Sequence, residues 1–207
     1  MRSRALVAIS FILLLIGAFV IVRDAQRTAA GMRVQGRLRQ LHLALLNYQA
    51  VNGVIPDRNL HDSNGRLLCS WVGMILPFIE QHEIADSIDI SESWDSPSNK
   101  ESLERGKRFW DWYSADGYFI SAYDGADSMW DSNGKPLGTL EELPTKVLLV
   151  ATTIDGIHPL EPFCLTEDHL RKILTAGTRA WYVDADRFHG TVRLEGNSIV
   201  FVRNFEP

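Results

Sequence analysis

Two cysteines in 207 residues, Cys69 and Cys164, exclude both a zinc-ligand framework and a disulfide-dense scaffold. They are compatible with one bridge in an oxidising compartment or with two separate buried thiols, since a free cysteine packs as a small hydrophobe. The chain contains no C-x-x-C, no G-x-S-x-G, no H-E-x-x-H and no P-loop, so no familiar motif for a redox pair, a nucleophile, a catalytic zinc or a nucleotide phosphate is present. His82-Glu83 lacks the second histidine that zinc would need. Internal repeats and low-complexity tracts are absent as well. A basic excess is also missing: 21 Lys plus Arg against 26 Asp plus Glu give a formal net charge of -5, with the basic residues concentrated near the N-terminus. That balance argues against a nucleic-acid-binding head, which would carry a basic face.

What is present begins with a run from Ala5 to Val22 that carries no charge and has only Ser10 as a hydrogen-bonding side chain. At roughly 1.5 Å per residue it would make about 27 Å of helix, close to a bilayer core. Arg2 and Arg4 also give it the basic flank of a secretory signal, but the run exceeds the usual signal core, and Thr28-Ala29-Ala30 is the nearest cleavage-like site. An uncleaved anchor over residues 1–23 is the expectation. Arg23, Arg27, Arg33, Arg37 and Arg39 outnumber the two arginines ahead of the run, so charge counting alone would leave the rest of the chain in the cytoplasm.

Residues 24–53 read as an amphipathic stalk. Val34, Leu38, Leu41, Leu45 and Tyr48 alternate at spacings of four and three and form one helical stripe, with Arg37, Gln40 and Asn47 on the other side. Asn52-Gly53 offers a left-handed cap, and Pro56 discourages continuation. The remaining residues, 54–207, read as a single mixed α+β head. Ser70–Ile79 is a strand or short helix broken by Pro77, and Phe78–Ile88 holds a helical turn or two. Ser102–Tyr113 is expected as one helix with Leu103, Phe109, Trp110 and Tyr113 inward. Tyr118–Tyr123 and Lys146–Thr153 are strands, and Thr191–Leu194 with Ser198–Val202 flank Glu195-Gly196-Asn197 as a hairpin. The loops at 57–65, 91–100 and 124–138 are rich in Asp, Asn, Ser and Gly, as surface turns are.

The order of several blocks resembles a known family. LRQLHLALLNYQAVNGVIP (residues 38–56), SWVGMILPFIEQ (70–81), WDSPSN (94–99), GIHPLEP (156–162) and the H-x-x-V-x-L-x-G-x-S-I-x-F pattern from His189 to Phe201 are similar to the large bacterial family of pseudopilin-like proteins of unknown function that carry a type II secretion G-like N-terminus. The resemblance implies a pilin-like α+β fold, in which an N-terminal transmembrane helix continues into an amphipathic helix packed on an antiparallel sheet. It implies a single-pass protein of the bacterial cytoplasmic membrane with its head outside the cytoplasm, against the arginine count. The favoured expectation for function is a non-enzymatic envelope protein whose head presents a surface to a protein or glycan partner, a secretion-like assembly being one setting for it. The chain departs from the family in one respect: Met1–Val22 holds no acidic residue and no early glycine of the prepilin type. An ordinary anchor, not pilin-type processing into a fibre, is therefore expected.

Three groups of residues carry candidate chemistry. Asp124, Asp127, Asp131 and Asn133 place several hard oxygens in one loop, as calcium requires, without the EF-hand spacing. Some secretion pseudopilins bind calcium in a head loop, so the resemblance adds to that reading. A solvated turn rich in Asx residues is the plainer reading. His158 with Glu161, and Asp184, Asp186 and His189, are the nearest approach to transition-metal ligands and define a rival reading as an anchored metal-dependent hydrolase. Trp110, Trp112, Tyr113, Tyr118, Phe119, Tyr123 and Trp130 crowd into one stretch. Most read as core, with Trp112 falling off the inward stripe and free to meet a partner.

Overall fold

A computed structural model describes residues 2–154 and 156–203, and the side chains of residues 2–11, 13 and 115 lie outside what it describes. The chain divides into two compact units, Met1–Val34 and Gln35–Pro207. Helix α1 runs Arg2–Asn52. In the first unit Leu14, Leu15, Ile16, Phe19, Val20, Ile21 and Val22 are all exposed. Among the described residues no helix is long and apolar enough to cross a membrane, and the run Ala5–Val22 falls partly on side chains outside that set.

In the second unit α1 supplies the stripe expected of it. Leu38, Leu41 and Leu45 are fully buried, and Tyr48 is half-buried with its ring 5.6 Å from Phe78. Arg37, expected on the solvent side, is instead buried, because its guanidinium reaches Asp116 Oδ2 at 2.6 Å. A long cationic side chain at the edge of a stripe can turn inward when a carboxylate waits there. The helix ends at Asn52 as expected: Gly53 has φ +82 and donates its N–H to Gln49 O.

A short hairpin of β1 (Asn59–His61) and β2 (Leu67–Ser70) leads into α2 (Trp71–Ile75). Ser70 caps α2 by accepting from Val72 N, and Pro77 lies in the first turn of the 3-10 helix that follows, where its missing N–H costs nothing. Helix α3 is His82–Ser87. The single helix expected over Ser102–Tyr113 is two helices, α4 (Pro97–Arg105) and α5 (Lys107–Tyr113), separated at Gly106. A Cβ on Gly106 would lie 2.6 Å from Trp110 Nε1 and 3.3 Å from Ile84 Cδ1, so the junction needs the bare backbone for α3 and the indole to close on it.

The main sheet has six strands in the order β5-β3-β4-β6-β7-β8: β3 (Phe119–Asp124), β4 (Val147–Thr152), β5 (Leu165–Thr166), β6 (Ala180–Asp184), β7 (His189–Glu195) and β8 (Ser198–Arg203). Every pairing is antiparallel except β3 with β5. Helix α6 (Glu167–Thr175) is capped by Thr166, which accepts from His169 N, and carries Glu167 and Asp168 in its first turn. Its Leu170 joins Tyr123, Val150, Tyr182 and Val192 in one core layer, with Ile199 and Phe201 of β8 against it. Strand register puts Ile120, Ala122, Leu149, Ala151, Trp181 and Val183 on the opposite face, and all are buried too. Two anchors mark that side: Tyr113 donates its hydroxyl to Ile120 O, and His42 Nε2 of α1 lies 3.1 Å from Ala185 O just past β6. Both cysteines are free; Cys69 is buried and Cys164 half-buried.

Candidate functional site

A groove of about 1020 Å3 lies in the second unit. One wall is the outer face of α1, where Gln40, Leu43 and Asn47 recur at helical spacing opposite the buried stripe. The second wall is Phe78 and Ile79 with the turn into α3, which Glu80 makes at φ 60. The third is the α4–α5 junction with Arg105, Arg108, Phe109 and Trp112. Trp112, expected to be exposed, is half-buried because its ring stacks on Phe109 at 5.5 Å and 26°. Leu43 is 52% exposed. Arg105 is held by Glu101 at 2.7 Å, whereas Arg108 has no hydrogen-bond or ion-pair partner among the described residues. The groove thus has an apolar centre of Leu43, Phe78, Phe109 and Trp112 and a rim that carries both charge signs. Leu43 and Phe78 escape a reading of the sequence by core pattern, and the signal for Leu43 is a leucine standing on the polar side of an amphipathic helix.

The residues named for calcium have separate tasks. Asp124, at the end of β3, faces the buried Arg58, whose Nη1 lies 2.8 Å from its Oδ1, and the Cys164 thiol is 3.7 Å from its other oxygen. Asp131 Oδ1 accepts from Asn133 N and Lys135 N, an Asx turn whose amides hold its carboxyl below the usual range. Arg58 brings these two regions together, since a Cβ on Gly134 would meet Arg58 Cβ at 3.2 Å. Asp127 offers its carbonyl to Val147 N. Among the described residues no group of three or more His, Cys, Asp or Glu side chains converges as a metal site.

The residues of the hydrolase reading fall into two structural settings. His158 and Glu161 build the turn at 158–161, where Glu161 Oε2 accepts from His158 N and His158 Nδ1 accepts from Leu160 N. That turn is fastened to the end of β2 by Ser70, which donates its N–H to Leu160 O and its hydroxyl to Pro159 O. The His158 ring lies between two indoles, stacked on Trp94 at 5.1 Å and edge-on to Trp110 at 5.0 Å. Burial there pushes its pKa down to about 4, so the imidazole is neutral. Asp184 instead organises the β6–β7 turn. Its Oδ1 accepts from Asp186 N and Phe188 N, and its Oδ2 receives Arg203 at 2.7 Å, while Arg203 also covers the Phe188 ring. Burial outweighs those donors and raises its pKa. His189 faces Arg39 Nε at 2.8 Å.

A family model described as Protein of unknown function (DUF1559), SBP_bac_10, matches residues 25–134. All the residues lining the groove, from Gln40 to Trp112, lie inside that segment, and β4 to β8 lie beyond it. No curated protein and no solved structure matches the chain.

Proposed function

We propose that this chain, which belongs to the family described as Protein of unknown function (DUF1559), is a non-enzymatic, pseudopilin-like envelope protein, anchored by one membrane span, whose head binds a protein partner. The observation that carries the proposal is the groove between α1, α3 and α5, lined by Leu43, Phe78, Phe109 and Trp112 inside the family-matched segment. An apolar centre with aromatic and arginine side chains and a charged rim is the anatomy of a protein interface. For that reason a protein segment is favoured over a glycan.

Three observations support the wider reading. The exposed apolar side chains from Leu14 to Val22 suit a lipid environment, and an exposed run of that size is a liability in water. The buried stripe of α1 and the mostly antiparallel sheet fit a pilin-like head. The candidate metal ligands of the hydrolase reading already hold turns together, so they lend no support to that chemistry. Photo-cross-linking from position 43 in native membranes tests the function. The expected result is one discrete protein adduct that disappears on Trp112→Ala while the melting temperature hardly moves. Adducts that are diffuse, of glycan mass or indifferent to Trp112→Ala would sink the proposal.

A further inference from the structure

Strand β8 has the side-chain pattern of an interior strand in an edge position. Ile199 and Phe201 pack into the α6 core layer, Val200 and Val202 stand on the other face, and all four are only half-covered. Apolar residues on both faces are expected of a strand flanked on each side, whereas edge strands carry lysine, proline or a bulge as protection. Here there is no proline or lysine, and the β7–β8 register runs unbroken from Gly190↔Arg203 to Glu195↔Ser198. The opposite edge of the sheet, β5, is only two residues long.

The turn fixes which backbone groups are free. Glu195 and Ser198 close a two-residue loop and are the hydrogen-bonded pair that bounds it. By alternation Val200 and Val202 also direct their backbone groups at β7, and the close approach of Val202 O to Gly190 agrees with this. Ile199, Phe201 and Arg203 therefore point theirs away from the sheet, and no hydrogen-bond partner meets them among the described residues.

We propose that β8 pairs antiparallel with β8 of a second copy of this chain, centred on Val200. A two-fold pairing must match outward-facing residues with outward-facing residues, so only registers that pair residues of like parity are allowed. Centring on Val200 pairs Ile199 with Phe201 of the other copy and exchanges both N–H···O bonds at each such pair. It sets Val200 against itself and Arg203 against Asn197, so no charge faces a like charge. Centring on Phe201 instead would lay Arg203 against Ile199, which strands the charge on an apolar neighbour. The chosen register continues the Ile199 and Phe201 layer across the axis and makes Val200–Val200 a non-hydrogen-bonded pair. The Cα separation there is about 4.5 Å, within disulfide reach. This inference is independent of the groove.

The test uses the full chain in detergent micelles. Val200→Cys under mild oxidation should give a disulfide-linked dimer. Arg193→Cys, which is opposite Val200 on β7, more exposed and one strand further from the axis, should not. Sedimentation should show a dimer that becomes monomeric in Val200→Lys with an unchanged melting temperature. Equal cross-linking at positions 193 and 200, a monomeric parent chain, or a dimer that survives Val200→Lys would each overturn the pairing. A monomer would leave the edge to a strand from another protein.

Discussion

Held between Trp94 and Trp110, His158 is a half-buried group whose protonation opposes the fold. Its pKa is about 4 in the folded chain and near the ordinary 6.5 in the unfolded one. As pH falls below 6.5 the unfolded chain gains a proton that the folded chain refuses until about pH 4. Stability should therefore decline across that window, by no more than about 1.4 kcal/mol per pH unit for one proton, and this contribution should flatten below it. His42, also lowered by burial, adds a second decline of the same sign. Urea melts between pH 7 and 4 should show a shallower fall for His158→Phe than for the parent, and parallel profiles would refute the assignment. A different residue-scale constraint operates at Gly190, where a Cβ would collide with Val202 O and sit 2.8 Å from Tyr182 Cε1. Gly190→Ala should cost about 3 kcal/mol, the upper range of overpacking, and loosen amide protection along β8. At Asp124 the neighbouring arginine separates two readings of one carboxylate. If the residue is chiefly Arg58's counter-ion, Asp124→Ala should cost about 3 kcal/mol in calcium-free buffer. A loss seen only when calcium is present would assign the carboxylate to a bound cation.

At the scale of elements, what the sequence revealed depended on periodicity. The α1 stripe, the strands β3 and β4, and the Glu195-Gly196-Asn197 hairpin were legible because each couples an apolar pattern to a defined stop. Strand β6 was not: Ala180–Asp184 is buried at every position, so it lacks the alternation that distinguishes a strand from a piece of buried helix. Helix α6 was missed although Thr166, Glu167 and Asp168 form a sound N-terminal signal, because its nine residues bury only Leu170 fully. The groove was the least legible feature, since its walls come from three elements and none of them declares the others. Within α1, two leucines a short step apart should behave differently. Leu41→Ala should cost about 2 to 5 kcal/mol, as a fully buried leucine does. Leu43→Ala should stay within about 0.5 kcal/mol and weaken partner binding instead. Equal melting temperatures for the two variants would contradict the division of the helix into a packed face and a presented one.

For the whole molecule the open conflict is between the arginines after the apolar run and a head outside the cytoplasm. A reporter fused after Pro207 should be active when it requires export and silent when it requires the cytoplasm; the reverse pattern would favour the charge rule. The order of synthesis imposes a further condition on this fold. His42 closes on Ala185 O, 143 positions further along the chain. At roughly 5 to 20 residues per second, Leu38, Leu41 and Leu45 would leave the ribosome roughly 7 to 29 s before that anchor exists. The first segment of the second unit to be made is thus among the last to be shut in, and for those seconds a greasy helix must be kept from other nascent chains. Slowing translation ahead of β6 would lengthen that exposure and lower the yield of folded protein without altering the product that forms.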